Sequence, residues 1–437
     1  MQRKFENVLL KWKENGMKKP MMVVGVRQIG KTYSIDKFCR ENFNKYIYIN
    51  LLEHAEIVKL CKSDISVVDK IKKIEWIIGD TLDGEEKVVF IDEIQESEEL
   101  ISYLKYFCES DKVYNIIVAG SLLGVKINRF HASFPVGKIY IEHMYPMDFE
   151  EFLMALGKDS IIEQIRDCYK NDLKMEEVIH LKLLELYRLY LCVGGMPEAV
   201  LNLVEVDGNI MNFDKNILKL IIEMYIADMN KYIYNASEGV KIKKIYNNIS
   251  YQLAKENKKF QYAKIENGSN KRKYASALDW LLSSNMIYVC NNVKTVDIPL
   301  KVYQNENIFK VYMSDVGLLV NISEVRFNDI MLDNDFRYKG AIVENYVAQT
   351  FISNGISLNY WSSDNIAKVD FLITTDDGII PIEVKSSDRV RSKSLKVYME
   401  KYSPKYAIRL STRNFGMDNG IKSVPLYAAF CIEESTF

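Results

Sequence analysis

The sequence predicts an α/β fold in its N-terminal part, built on a parallel sheet that helices cover on both faces. Short apolar runs, of the kind that forms strands buried on both faces, alternate with helical patterns over residues 1–155. Such alternation is typical of βαβ units, in which the strands run parallel. The predicted strands are Met21–Val24, Tyr46–Leu51, Val88–Asp92, Asn115–Ala119 and Lys138–Glu142.

The first predicted strand is followed by an octapeptide that suits phosphate binding. Glycines at both ends, Gly25 and Gly30, let the loop curl so that backbone N–H groups point inward, and the next helix adds its positive N-terminal end. Lys31 would reach the β- and γ-phosphates of a nucleotide, and Thr32 would ligate the Mg²⁺ that comes with it. The predicted nucleotide site comprises Gly25, Val26, Arg27, Gln28, Ile29, Gly30, Lys31 and Thr32.

Two acids at the end of the third predicted strand indicate that the chain hydrolyses the nucleotide as well as binding it. The apolar run Val88–Ile91 leads directly into Asp92 and Glu93. Ligands of open α/β sheets bind at the C-terminal ends of strands, so Asp92 can hold the Mg²⁺ shell. Glu93 can polarise the attacking water. Together with Lys31, these acids predict an ATPase that uses ATP and Mg²⁺.

Ser121 follows the fourth predicted strand, and its position suits two roles. A polar residue at that edge can sense the γ-phosphate or orient the lytic water, which makes Ser121 a candidate catalytic residue. Serine in front of a helix is also a good capping residue. The two roles are compatible, and the sequence leaves both open.

Length and composition predict several domains and a local, rather than global, basic surface. At 437 residues the chain is too long for one ordinary core, which favours two to four domains. Its 58 Lys and Arg balance 59 Asp and Glu, so any DNA-binding surface must be confined to one region. Seven cysteines without a CxxC pair predict reduced thiols, and the lack of a signal-like or membrane-spanning stretch predicts a cytoplasmic protein without a membrane partner.

The region that follows, residues 156–235, is predicted to be helical. It is rich in Leu, Ile, Tyr and Glu, and one break interrupts it at Gly194-Gly195-Met196-Pro197. Glycines permit left-handed backbone angles and proline stops a preceding helix, so this break predicts a turn between two helices.

Residues 236–312 are predicted to form a helix-turn-helix followed by a strand pair. A helix over Lys271–Ser283 precedes a strand from Ile287 that Ile308–Tyr312 could pair with. This order is typical of a winged helix, whose second helix can enter a DNA groove. The basic run Lys271–Lys273, which includes Arg272, would contact phosphates; the alternative is a packing module with a solvated basic turn.

The last segment, residues 313–437, carries a second group of acids. Glu344 lies in a helical pattern, Asp370 in a strand, and Glu383 two residues before Lys385 at the end of another strand. Because side chains alternate along a strand, Glu383 and Lys385 share a face. Acids and a lysine around a second divalent metal would activate water against a phosphodiester. The alternative is a set of surface charges on a small sheet.

These motifs resemble a known family along nearly the whole chain. In order they read GVRQIGKT, VVFIDEIQ, IIVAGS, YPMDFEEFL, GGMPEAV, KGAIVENYV, VDFLI and IPIEVKSS. They are similar to those of bacterial and archaeal AAA-type P-loop ATPases with a C-terminal nuclease-like domain. The resemblance implies an AAA-like core over 1–155, a helical lid or linker over 156–235, a winged-helix-like module over 236–312, and a domain similar to the PD-(D/E)xK nucleases over 313–437. It implies the same ATP site, with Ser121 as the sensor-like residue, and nuclease-like acids Glu344, Asp370 and Glu383 with Lys385.

Two positions depart from the family pattern. Lys138 follows Gly137 where the family usually has arginine, and lysine cannot clamp a phosphate with two parallel hydrogen bonds. Arg129 is another loop cation that could act on a neighbouring subunit. Lys368 replaces an acid of many relatives, which lowers the expected metal affinity.

Three functional hypotheses follow. The first is an ATPase whose nucleotide state moves its C-terminal modules on DNA, as a monomer or an oligomer. The second is an ATP-gated, metal-dependent DNA endonuclease. The third is a non-enzymatic, nucleotide-dependent scaffold that binds DNA or a partner protein.

Overall fold

The computed structural model describes residues 1–121, 123–127, 134–231, 236–363, 367–388 and 393–433. The chain divides into two compact units. The first, the N-terminal unit, comprises residues 2–145 and 283–285; the second, the C-terminal unit, comprises residue 1 with 146–282 and 286–437. The four finer domains expected from the sequence stay predictions.

The N-terminal unit is built on five parallel strands in the order β2-β3-β4-β1-β5. Their bounds are β1 Met21–Val24, β2 Lys45–Asn50, β3 Lys87–Asp92, β4 Ile116–Ala119 and β5 Tyr140–His143. Every residue of β1, β3 and β4 is buried, as expected for central strands covered on both faces. The predicted α/β fold with a parallel sheet is confirmed. The last strand begins two residues later than predicted because Pro135 to Lys138 form a hydrogen-bonded turn.

Helices of the N-terminal unit pack against this sheet. Their bounds are α1 Phe5–Glu14, α2 Lys31–Asn42, α3 Ala55–Cys61, α4 Val67–Ile78, α5 Glu98–Glu109 and α6 Leu123–Ile127, with a 3-10 turn at Ile94–Glu96. Ser66 and Ser97 cap α4 and α5 by accepting backbone N–H bonds of the first turn. Apolar side chains of α4 and α5 join those of β2, β3 and β4 in one core cluster.

The C-terminal unit combines helices with a second sheet. The helices are α7 Phe149–Ala155, α8 Asp159–Asn171, α9 Glu177–Val193, α10 Pro197–Glu205, α11 Asn216–Lys231, α12 Ala236–Leu253, α13 Lys271–Ser283, α14 Val316–Ile322, α15 Phe327–Met331, α16 Lys339–Ser353 and α17 Lys393–Tyr402. Asp148 starts α7 with a capping box that includes Glu151. At Gly195, in the turn between α9 and α10, a Cβ would lie 1.8 Å from the Met147 carbonyl oxygen, so only glycine fits there.

The second sheet has eight strands in the order β12-β13-β11-β10-β9-β8-β6-β7. Their bounds are β6 Ile287–Val293, β7 Gln304–Met313, β8 Asn359–Ser363, β9 Ala367–Thr375, β10 Gly378–Val384, β11 Ala407–Ser411, β12 Gly416–Asp418 and β13 Ile421–Pro425. The predicted pairing of the strands that begin at Ile287 and end near Tyr312 is present, as the antiparallel pair β6 and β7. Because β6 also pairs with β8, this hairpin is the edge of the larger sheet, which is continuous across the boundary predicted after residue 312.

Two further observations concern the predicted cellular context. Within the described ranges, none of the helices combines the length and the apolar character that crossing a bilayer requires. All seven cysteines are free thiols. The cytoplasmic location stays a prediction.

Candidate nucleotide site

The loop between β1 and α2 owes its shape to two glycines. Gly25 has a φ of +155°, and a Cβ at this position would lie 2.3 Å from the Met144 carbonyl oxygen. Gly30 precedes α2 with a φ of +84°. Other residues rarely adopt these angles, and the close approach at Gly25 excludes any side chain. The loop therefore has the curled backbone that the sequence predicts.

The four residues between these glycines differ in exposure. Val26 and Ile29 are buried apolar side chains, so their backbone groups alone can face a ligand. Arg27 and Gln28 are partly exposed, and Gln28 has a φ of +62°. Val26 and Ile29 therefore anchor the loop in the core of the unit, and Arg27 and Gln28 between them remain accessible.

Lys31 folds back into the loop. Its Nζ donates to the carbonyl oxygens of Gly25, at 3.0 Å, and Val26, at 2.7 Å. Burial lowers the pKa of Lys31 to about 8, although Asp92 and Glu93 attract the charged form. The ammonium group thus lies at the centre of the loop, held by acceptors that a phosphate oxygen can replace.

Thr32 and Asp92 are in direct contact. Thr32 Oγ1 donates to Asp92 Oδ2 over 2.7 Å, and the backbone N–H of Glu93 donates to the other carboxylate oxygen over 2.9 Å. Burial raises the pKa of Asp92, while these hydrogen bonds oppose that shift. A hydroxyl and a carboxylate side by side are the protein ligands that Mg²⁺ takes beside nucleotide phosphates, so the pair fits the implied ion.

Glu93 is held at the end of β3 in an unusual backbone conformation. Its φ is +54°, in the left-handed region that non-glycine residues seldom adopt. Its Oε2 accepts a hydrogen bond from Gln95 Nε2. Ser121 is buried, and its hydroxyl makes no hydrogen bond with any residue of the described chain. Their catalytic roles stay predictions.

Three contacts at this site were missed by the sequence reasoning. Gln95, which is fully buried, packs so closely on Gly120 that a Cβ there would lie 2.1 Å from Gln95 Oε1. Tyr48 donates its hydroxyl to Asp92 over 3.3 Å. Arg3 donates to the carbonyl oxygen of Ile29 over 2.6 Å and so ties the chain's start to the loop. Gln95 is the one with a sequence signal, since it closes the run VVFIDEIQ.

Two cations, Lys138 and Arg129, bear on whether a neighbouring subunit supplies a contact to the phosphates, and such a contact stays a prediction. Lys138 forms an exposed ion pair with Glu109 at 2.9 Å. Arg129 lies outside the described residues.

Each acid of the predicted second metal site forms an ion pair with a lysine, and Glu344 forms two. Lys310 Nζ is 2.7 Å from Glu344 Oε1, Tyr312 donates its hydroxyl to the same oxygen over 2.5 Å, and Lys258 pairs with the other oxygen. Burial alone would raise the pKa of Glu344, but Lys258 and Lys310 hold it well below its usual range. The carboxylate is neutralised without a metal.

Asp370 and Glu383 have lysine partners too. Asp370 Oδ1 is 3.6 Å from Lys368 Nζ, and Lys385 Nζ is 2.5 Å from Glu383 Oε1. In the described parts of the chain, no three carboxylate, histidine or cysteine side chains are grouped so as to hold a metal ion. The second divalent metal predicted at Glu344, Asp370 and Glu383 is therefore not supported.

Comparison with known proteins agrees with the geometry of the N-terminal unit. Residues 17–153 match a family described as an AAA domain. The match supports an AAA-type ATPase domain in this part of the chain. Residues 184–329 and 339–429 match two families described as domains of unknown function, DUF8612 and DUF4143. A nuclease-like domain is not shown by these matches.

Individual relatives are distant. An uncharacterized protein of Methanocaldococcus jannaschii is 25% identical over 196 residues, which are 44% of this chain and 40% of the relative. The chain thus spans less than half of that relative. A Walker-type ATPase of Pyrococcus abyssi aligns over 74% of this chain and 95% of its own at 16% identity, with a TM-score of 0.43. The ORC1 protein of Aeropyrum pernix in complex with DNA aligns over 75% of this chain and 94% of its own at 11% identity, with a TM-score of 0.30.

Proposed function

We propose that the chain binds ATP with Mg²⁺ and hydrolyses it at the site formed by residues 25–32 and the acids at the end of β3. The observation that carries this proposal is the 2.7 Å hydrogen bond between Thr32 and Asp92. It brings together the hydroxyl and the carboxylate that would hold the ion, which supplies charge neutralisation to the phosphates when bound. The AAA domain match over residues 17–153 supports the same assignment.

Each side chain of the site then has a distinct task. Lys31 exchanges the carbonyl oxygens of Gly25 and Val26 for phosphate oxygens, which carry more negative charge. Glu93 orients the attacking water and accepts its proton. The Ser121 hydroxyl, which has no partner among the described residues, is available to the γ-phosphate or to that water. Gln95 keeps the Glu93 carboxylate in position.

Phosphate release by the full chain tests this proposal. We expect Mg²⁺-dependent release that Lys31→Ala reduces by at least about 100-fold, since the variant loses the cation inside the loop. Lys37→Ala is the matched control: it removes a lysine of the same helix whose partner is Glu6, outside the loop. Equal rates for wild type and Lys31→Ala, with or without DNA, would contradict the proposal.

We propose that ATP hydrolysis changes the conformation of the C-terminal unit and that this change is the role of the ATPase. Hydrogen exchange of the full chain, with ATP and with ADP, should then differ in peptides beyond residue 146. Identical exchange in that region would contradict a nucleotide-driven switch.

The endonuclease alternative is the weaker candidate because Lys258 and Lys310 neutralise Glu344. We expect no nicking of plasmid DNA with Mg²⁺ or Mn²⁺. Nicking that disappears in Asp370→Ala would restore the alternative.

A further inference from the structure

An open cleft in the C-terminal unit is lined by lysines that the nucleotide site does not use. It lies between the C-terminal end of α12, the loop that follows, and the facing strands β8 and β9, and has a volume of about 720 Å³. Its charged lining residues are Lys255, Lys259, Lys264, Lys368 and Glu256. Four cations against one acid make this a local basic surface on a chain whose net charge is −1.

The loop that carries two of these lysines is held in place. Gln252 Nε2 donates to the carbonyl oxygen of Gln261 over 3.0 Å, and Gln261 donates its backbone N–H to Gln252 Oε1 over 3.2 Å. Lys258 extends inward to the Gly340 carbonyl oxygen, at 3.1 Å, and to Glu344. With Lys258 anchored in this way, its neighbours Lys255 and Lys259 remain at the cleft. These hydrogen bonds therefore hold the loop, and the lysines it carries, in place at the cleft.

The cleft lysines are largely unneutralised. Across the described residues, Lys255, Lys259 and Lys264 form no ion pair, whereas Lys368 Nζ is 3.6 Å from Asp370. Lys255 donates to Gln252 Oε1 over 2.9 Å. Burial, and then repulsion by Lys264, lower the pKa of Lys255, and burial followed by repulsion from Lys310 lowers the pKa of Lys368. Three lysines without an acidic partner at one cleft favour a polyanionic ligand.

The basic run predicted to meet DNA is a second group of cations in the C-terminal unit. Lys273 Nζ is 2.5 Å from Glu266, and Lys271 Nζ donates to Asn307 over 2.9 Å. Arg272 is exposed at the start of the same helix. One of the three cations of this run is thus paired with an acid, as is one of the four cleft lysines, Lys368.

We propose that the cleft binds the phosphodiester backbone of a nucleic acid. The four lysines are distributed over the segment after α12 and strand β9, an arrangement that suits a row of phosphates better than one small anion. Tyr251 lines the same cleft and is 54% exposed, with the Lys255 ammonium 4.8 Å from its ring centroid. An exposed aromatic ring beside cations is a surface on which a base can stack. This binding needs no ATP hydrolysis.

Fluorescence anisotropy of labelled 20-mers with the full chain tests the proposal. Single-stranded DNA, duplex DNA and single-stranded RNA of one sequence are compared without nucleotide, and the tightest complex identifies the kind of nucleic acid. Replacing Lys255, Lys259 and Lys264 by alanine should weaken that complex at least tenfold in 100 mM salt. The slope of log K against log salt should fall by about 2 for a single strand or about 3 for a duplex.

Two further variants separate the cleft from general charge and from misfolding. Replacing Lys271, Arg272 and Lys273 by alanine removes the same number of charges and should change affinity less than twofold. Arginine at the three cleft positions keeps the charge and should restore binding. Absence of binding to all three nucleic acids, or equal losses in the two alanine variants, would overturn the proposal.

Discussion

The buried position of Lys31 should make the proposed nucleotide binding depend on pH in a range where few other groups titrate. Its pKa is lowered to about 8 by burial, and only the charged form attracts phosphates. At pH 9.5 about 3% of the free protein carries that charge, against about three quarters at pH 7.5. If the ammonium form alone binds, the Kd for Mg²⁺-ATP should rise about 25-fold between these two values.

Binding of a fluorescent ATP analogue across pH 7.5 to 9.5 measures this effect. The phosphates of the nucleotide are already ionised at pH 7.5, so they contribute little to the change. Lys31→Arg is the control because guanidinium stays charged throughout, and its Kd should be higher but nearly constant with pH. A wild-type Kd that stays constant to pH 9.5 would refute the depressed pKa, and a parallel rise in Lys31→Arg would assign the effect to another group.

Three more predictions concern buried polar groups. Gln95→Leu should lower kcat at least tenfold with little change in KM for ATP, since it removes the hydrogen bond that holds the Glu93 carboxylate. An unchanged kcat in phosphate release would exclude a role of Gln95 in positioning Glu93. Glu344→Gln should destabilise the fold by about 3–5 kcal/mol in urea unfolding, because buried Lys310 loses the carboxylate 2.7 Å away and keeps only Asp370, at 4.0 Å, as an acidic partner. EDTA should leave the wild-type midpoint unchanged, and a shift with EDTA would indicate a bound metal. Asp315 is buried at the start of α14, which it caps, and burial raises its pKa to about 6. Its protonated form therefore favours folding, and this contribution to the free energy of unfolding, about 3 kcal/mol, is lost as pH rises from about 4 to 6. Asp315→Asn should remove this dependence of the free energy of unfolding on pH, and an unaltered dependence would contradict the shift.

The geometry of the candidate nucleotide site could be predicted where it depends on strand ends and the loops that follow them. The loop of residues 25–32 follows the buried strand β1, and the acids lie at the end of the buried strand β3. Parallel strands bring their C-terminal ends to one edge of a sheet. That is why Thr32 and Asp92, 60 residues apart, were expected together and are in contact. The contacts of Tyr48 and Arg3 were missed because they depend on side-chain packing, for which a single sequence has no periodic signal. Gln95 was missed although it closes the run VVFIDEIQ.

The acids of the C-terminal unit show the opposite case. Glu344, Asp370 and Glu383 have the residue types of a metal site, but their charges are balanced by lysines. Lys258 and Lys310 precede Glu344 by 86 and 34 residues and reach it only through the folded sheet and the loop after α12. The motif alone could not distinguish a carboxylate that binds a metal from one that binds an ammonium group.

The central claim is that Glu93 activates water for ATP hydrolysis at a site that Thr32 and Asp92 complete. The most direct test measures ATP binding and single-turnover hydrolysis in the wild type and in Glu93→Gln. The variant should bind Mg²⁺-ATP within about threefold of the wild type but hydrolyse it at least about 100-fold more slowly, because the amide cannot accept the proton of water. Equal hydrolysis by the two proteins, or no hydrolysis by the wild type, would contradict the claim.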